Sequence, residues 1–202
     1  MATALFINRT DLIRNSNMDG NIDTDKILPF IKLSQELEIK NITGSALYDK
    51  ISSLITSGDI DLVANAKYKT LLNDYIVPAL IWYAQAAFYP FHYIQIRNGG
   101  VFKHSSETAE TVSKDELDYI VKKARDNGEY YGRRFVDFMS FNQSDYPEYT
   151  SNTNDQINPS QDQTFNGWVL WDTNQKKNNV EKLKTFLKRK KNKQKINYGK
   201  SI

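Results

Sequence analysis

The stretch NAKYKTLLNDYIVPALIWYAQAAFYPFHYIQI, residues 65–96, constrains the fold more than any other part of this chain. Leu71, Leu72, Tyr75, Ile76, Ala79, Leu80, Tyr83, Ala87 and Phe88 recur at intervals of three and four, the period of a helix. After Ile76 the apolar side chains extend around most of the circumference. A helix of that kind has no face left for solvent, so other elements must enclose it. Pro78 and Pro90 each lack a backbone donor, and each predicts a kink or an end there.

The flanking segments supply the enclosing helices. Asp23 or Thr24 can cap a helix through DKILPFIKLSQELEIKNI, with Pro29 in its first turn and Ile27, Phe30, Ile31, Ser34, Leu37 and Ile39 on one face. Thr43 is the expected N-cap of GSALYDKISSLITSG, which carries Leu47, Ile51, Leu54 and Ile55 at helical spacing and ends at Gly58. Ser113 and Glu116 form a capping box for a last long helix with Leu117, Ile120, Val121, Ala124, Tyr131, Phe135, Phe138 and Met139 on a stripe. In it Gly128 and Gly132, four apart, would let another helix approach closely. From Gln143 the composition turns to Asn, Asp, Gln, Ser, Thr and Pro, within which TFNGWVLWDT reads as a short strand or hairpin. The expected fold is mainly α: a bundle of four to five helices with a projecting loop or hairpin and an extended C-terminal arm. Residues 1–142 would form the body, 143–178 an extended polar segment with a short Trp-containing strand or hairpin, and 179–202 a basic arm. No internal repeat stands out.

Charge divides the chain as sharply as hydropathy does. From Lys176 to Ile202 there are eleven Lys/Arg and one acid, a net +10, whereas the preceding 175 residues hold sixteen basic and twenty-three acidic residues, a net −7. An acidic body with a basic extension calls for a partner. In FLKRKKNKQK, the residues Phe186, Leu187, Lys188, Arg189, Lys190, Lys191, Lys193 and Lys195 can dock on an acidic protein surface or on nucleic-acid phosphates. Trp168 and Trp171, two large aromatics in a polar tract, read as an anchor onto the body or a neighbouring subunit. No run of eighteen apolar residues exists, so no membrane span is expected. The first residues lack a basic region followed by an apolar core, so no signal peptide is expected either. Cysteine is absent, which removes disulfides, thiolate zinc sites and thiol nucleophiles and fits an intracellular product.

No catalytic pattern assembles in the sequence. Asn98, Gly99, Gly100, Val101, Phe102, Lys103 and His104 follow the central helix in a loop that tempts a phosphate or nucleophile reading. A Walker loop needs Gly-x4-Gly-Lys-Ser/Thr, and a dinucleotide fingerprint needs three spaced glycines after a strand; neither is present. Neighbours in an extended segment point to opposite sides, so Lys103, His104 and Ser105 do not make a dyad. Positive φ at the glycines would let the chain reverse into a projecting loop or hairpin. His92 reads as a packed histidine at a helix end. NMDGNIDTDKI lacks the closing Glu of a calcium loop. No metal, cofactor or catalytic residue is expected.

The order of segments resembles the head–tail connector proteins of tailed bacteriophages: adaptor, neck or head-completion proteins, including those of crAss-like phages. The residues that carry the resemblance are Gly44-Ser45-Ala46-Leu47-Tyr48, Leu71–Pro78 with Trp82, Asn98-Gly99-Gly100-Val101, and the tract EYYGRRFVDFM, and the resemblance covers about residues 1–142. The resemblance implies a structural virion protein made in the host cytoplasm and resident in the neck. It implies a homo-oligomeric ring, typically of twelve, that attaches to the portal, receives the next neck or tail-adaptor ring and extends the DNA channel, with the loop from Asn98 to His104 touching a neighbouring subunit or the lumen. The alternative from the residues themselves is a non-enzymatic nucleic-acid-binding protein that uses the basic arm.

Overall fold

The computed structural model describes residues 4–18, 20–97, 100–103, 112–151 and 157–160. They form a mainly helical bundle, as expected. The chain divides into a compact unit, Met1–Gln163, and a second unit, Thr164–Ile202, which lies outside the described residues. The first unit contains α1 (Arg9–Arg14), α2 (Thr24–Ser34), α3 (Lys40–Ser57), α4 (Ala66–Leu71), α5 (Val77–Tyr93), a hairpin of β1 (Ile94–Arg97) and β2 (Gly100–Lys103), α6 (Lys114–Asn142) and α7 (Pro147–Thr150).

The central segment forms one helical rod rather than two broken pieces. α4 passes into α5 through a π turn, Leu72–Ile76, and Pro78 lies in the first turn after it. The wider π turn changes the carbonyl pairing just where proline removes a donor, so the rod continues instead of ending. Pro90 is likewise inside α5. Ile76, Ala79, Leu80 and Ala84 are fully enclosed.

α6 runs antiparallel to this rod, and three tyrosines of α4–α5 set the register. Tyr68 meets Tyr146 edge-on at 5.7 Å, and Tyr75 stacks on Phe138 at 4.3 Å. Tyr83 lies against Gly128, where an added Cβ would come within 2.8 Å of its ring. The expected close approach at Gly128 is thus real, and its partner is an aromatic ring. Ser113 accepts from the Glu116 N–H at 3.3 Å while the Glu116 carboxylate accepts from the Ser113 N–H at 2.8 Å, so the capping box starts α6 as expected. Those hydrogen bonds from Ser113 hold the Glu116 carboxyl below the usual range.

Several expectations change at α2 and α3. Pro29 is the sixth residue of α2, not in its first turn. A π turn, Gln35–Ile39, then inserts a residue into the helical period. It turns Gln35 and Ile39 inward and leaves Leu37, expected on the apolar face, 60% exposed. Thr43 does not cap α3. Its hydroxyl donates back to the Ile39 carbonyl at 2.8 Å, and the helix breaks one residue later at Gly44, with φ 74° and ψ 161°. Gly58, at φ 78°, ends α3 as expected. α1 is capped reciprocally by Asn8 and Asp11.

The body also continues beyond residue 142. Tyr146 and Tyr149 are buried around α7, and residues 157–160 return to α3. The first part of the expected extended segment is therefore packed structure. The Trp168–Trp171 strand and the basic arm lie outside the described residues.

Candidate assembly surface

Two features of the body bear on contact with other molecules: the segment returning to the α3 break, from which the chain runs on, and the exposed residues beside the hairpin.

At Gly44 the helix leaves amides and carbonyls without intrahelical partners. Residues 157–160 occupy them. The Ser45 N–H donates to the Ile157 carbonyl at 3.0 Å, the Ile157 N–H donates to Ser45 Oγ at 3.1 Å, and the Ser160 N–H donates to the Asn41 carbonyl at 2.8 Å. Between them Pro159 lies flat on Gly44, so that a Cβ there would meet its ring carbons at 2.7 and 2.8 Å. This strap fixes the place from which the chain continues toward residues 161–202. Sequence reading missed it, although Gly44 inside a helical pattern and an Ile-Asn-Pro in a polar tract were both legible signals.

The expected contact loop is in part a hairpin. Ile94 pairs with Lys103, Gln95 with Phe102, Ile96 with Val101 and Arg97 with Gly100. Asn98, Gly99 and His104 lie outside the described residues, and the backbone of Gly100, Val101, Phe102 and Lys103 is strand rather than loop. Just before the hairpin Phe91 is exposed, its ring 5.2 Å from that of Phe30, and Leu33 and Leu37, at the end of α2 and in the π turn after it, are exposed as well. His92 stacks on Phe88 at 5.0 Å, as a packed histidine would, but is exposed and borders a cleft of about 430 Å³ with Asn17, Asp23, Lys26 and Tyr89.

The interior holds polar networks that serve packing. Gln35 accepts from the Phe6 N–H at 2.9 Å and donates to the Ala4 carbonyl and to Tyr48 Oη at 2.8 and 2.9 Å. The Tyr48 hydroxyl in turn donates to Glu36 at 2.8 Å. Burial, reinforced by that carboxylate, pushes the Tyr48 phenol upward, so it remains a neutral donor. The Tyr68 hydroxyl donates to Glu148, 2.9 Å from both oxygens, and burial with that acceptor raises its phenol too. Tyr149 differs: its hydroxyl is buried with no partner among the described residues. An unpaired buried hydroxyl costs about 1–3 kcal/mol. Tyr149→Phe should therefore raise stability by about 1 kcal/mol, measured as a higher urea midpoint at unchanged m-value; a lower midpoint would show that the hydroxyl has a partner.

Among the described residues no group of three or more His, Asp or Glu gathers to hold a metal ion, and no helix is long and apolar enough to cross a membrane. A protein-family model matches residues 39–159, more than half of the chain. The chain belongs to the family of unknown function DUF6712. No curated protein and no solved structure matches it. The family segment opens on the turn before the α3 break and closes on Pro159, so it contains the break and all of the strap but Ser160, and leaves out α1, α2 and the basic arm.

Proposed function

We propose that this protein is a structural subunit of a phage neck, a head–tail connector without catalytic activity. The observation that carries the reading is the division of the chain: a tightly packed acidic helical body, strapped at α3, followed by an extension of opposite charge. In this reading lateral faces of the bundle close a ring, and exposed Phe91, Leu33 and Leu37 are suited to contact a neighbouring subunit. The hairpin, with residues 98–99 between its strands, contacts the next subunit or the lumen. The arm, with Trp168, Trp171 and Lys188–Lys195, clamps the portal or an adjoining ring. Residues 1–175 together carry a net −7, which repels DNA in a channel and favours passage over adhesion.

Electron microscopy of the purified chain, alone and with a portal protein, tests this. Closed rings that cap the portal are the expected result; particles that remain single subunits under both conditions would overturn it. The basic arm also supports a second reading, phosphate binding by a nucleic-acid-binding protein. Truncation before Val180 separates the two. Lost portal attachment with little change in DNA affinity favours the connector. Lost, salt-sensitive DNA binding by a monomer favours the rival.

A further inference from the structure

The outer face of α6 carries a short repeat that eluded the sequence reading. Tyr119, Tyr130 and Phe141 are spaced eleven residues apart, close to three helical turns, so they fall within about 40° of one another around the axis. They are 70%, 56% and 87% exposed and lie opposite the buried Ala124, Gly128, Phe135 and Met139. The same period places the charges between them. Lys123 and Arg134 follow the two tyrosines by four, and Asp126 and Asp137 follow them by seven. Lys123, Arg134 and Asp137 are exposed and Asp126 is half-buried; the Arg134 guanidinium also lies over the rings of Tyr75 and Tyr131, at 5.9 and 5.5 Å, so its pairing with Asp126 would be made from the edge it leaves exposed. Lys123, Asp126 and Asp137 make no ion pair with another described residue.

The stripe is symmetric about Tyr130. Positions equidistant from it carry complementary groups: Tyr119 with Phe141, Lys123 with Asp137, and Asp126 with Arg134. Laid antiparallel on an identical stripe, aromatic side chains meet at both ends and opposite charges meet between them. Laid parallel and in register, every charge faces its own kind, which repels. We propose that the outer face of α6 docks the same face of a second copy of this chain, antiparallel, about a twofold axis at Tyr130. Lys123 of one copy then meets Asp137 of the other, and each contact occurs twice, as an isologous interface requires. The contact goes beyond the connector reading. A ring repeats a head-to-tail contact, whereas this one closes on itself and joins two copies.

Because the chain has no cysteine, single cysteines report the register in the full-length protein. Tyr130→Cys should give a disulfide-linked dimer on mild oxidation. Tyr119→Cys alone should not, because its two copies lie about 33 Å apart along the pair, beyond disulfide reach. A mixture of Tyr119→Cys and Phe141→Cys chains should cross-link one to the other. In sedimentation equilibrium the unsubstituted chain should dimerise. Lys123→Glu should weaken the dimer about tenfold, and Lys123→Glu combined with Asp137→Lys should restore it. Self-linking of Tyr119→Cys, equal linking at every position, or a chain monomeric throughout, including one whose α6 face binds another protein, would each overturn the proposal. Rings in which Tyr130→Cys never links would overturn it while sparing the connector reading; linked pairs that never form rings with portal would do the reverse.

Discussion

Gly44→Ala should destabilise the body by about 3 kcal/mol and free the strap. Two costs combine at this position. At φ 74° and ψ 161° the backbone occupies a region open almost only to glycine. The new methyl would also sit 2.7 Å from Pro159 Cδ, 2.8 Å from its Cγ and 3.1 Å from its N. The two are separable, because Pro159→Ala removes both ring carbons while leaving the Gly44 backbone as it is. In a double-mutant cycle the pair should lose less than the sum of the single changes, and the remainder measures backbone strain. Hydrogen exchange supplies a second readout. The amides of Ser45, Ile157 and Ser160, which make the strap's bonds, should lose protection in Gly44→Ala well before those of the α5 core. Unchanged urea midpoint and unchanged protection would show that the strap does not hold the α3 break.

Gly128→Ala sets two effects of opposite sign against each other. In an isolated α6 peptide, alanine should raise helicity, since glycine costs about 1 kcal/mol in a helix interior. In the folded protein the added Cβ would lie 2.8 Å from Tyr83 Cδ1 and 2.9 Å from Cε1. Tyr83 is a buried ring, so it can shift only by displacing packed neighbours. Overpacking of that kind costs about 1–3 kcal/mol, which exceeds the propensity gain. The expected outcome is a peptide that gains helix and a protein whose urea midpoint falls by the equivalent of about 1–2 kcal/mol. Gly20→Ala, with nothing within 4 Å of its added Cβ, serves as the control. A Gly128→Ala protein more stable than the parent would mean that α5 and α6 can separate at little cost.

These positions show where the sequence was readable. Gly128 was recognised as a place of close helix approach because a small residue in an amphipathic stripe has few other uses. Gly58 and the Ser113–Glu116 box were recognised because cap chemistry is local: a few successive residues contain both the orphan backbone groups and their partners. The π turns at 35–39 and 72–76 were not recognised. An extra residue in a helical period is invisible until packing decides which side chains turn inward, so Leu37 was placed on the wrong face. The strap was missed for the same kind of reason, since its partners are more than a hundred residues apart. The repeat on α6 lay in plain view, but its meaning depends on knowing that Tyr119, Tyr130 and Phe141 face outward.

By itself the sequence determined the class of fold and its polarity. A helix apolar around most of its circumference must be enclosed, and the amphipathic stretches on either side are what the chain has to enclose it. The separation of acidic body from basic extension is likewise fixed by residue order. Tertiary structure alone decided how the helices register. The tyrosines at 68, 75 and 83 select Tyr146, Phe138 and Gly128, and the break at Gly44 becomes a junction only because Ile157 and Ser160 satisfy its backbone. Hydrophobic burial is non-directional and can be read from pattern. Close packing and hydrogen-bond satisfaction are directional, and they are decided only when distant residues meet.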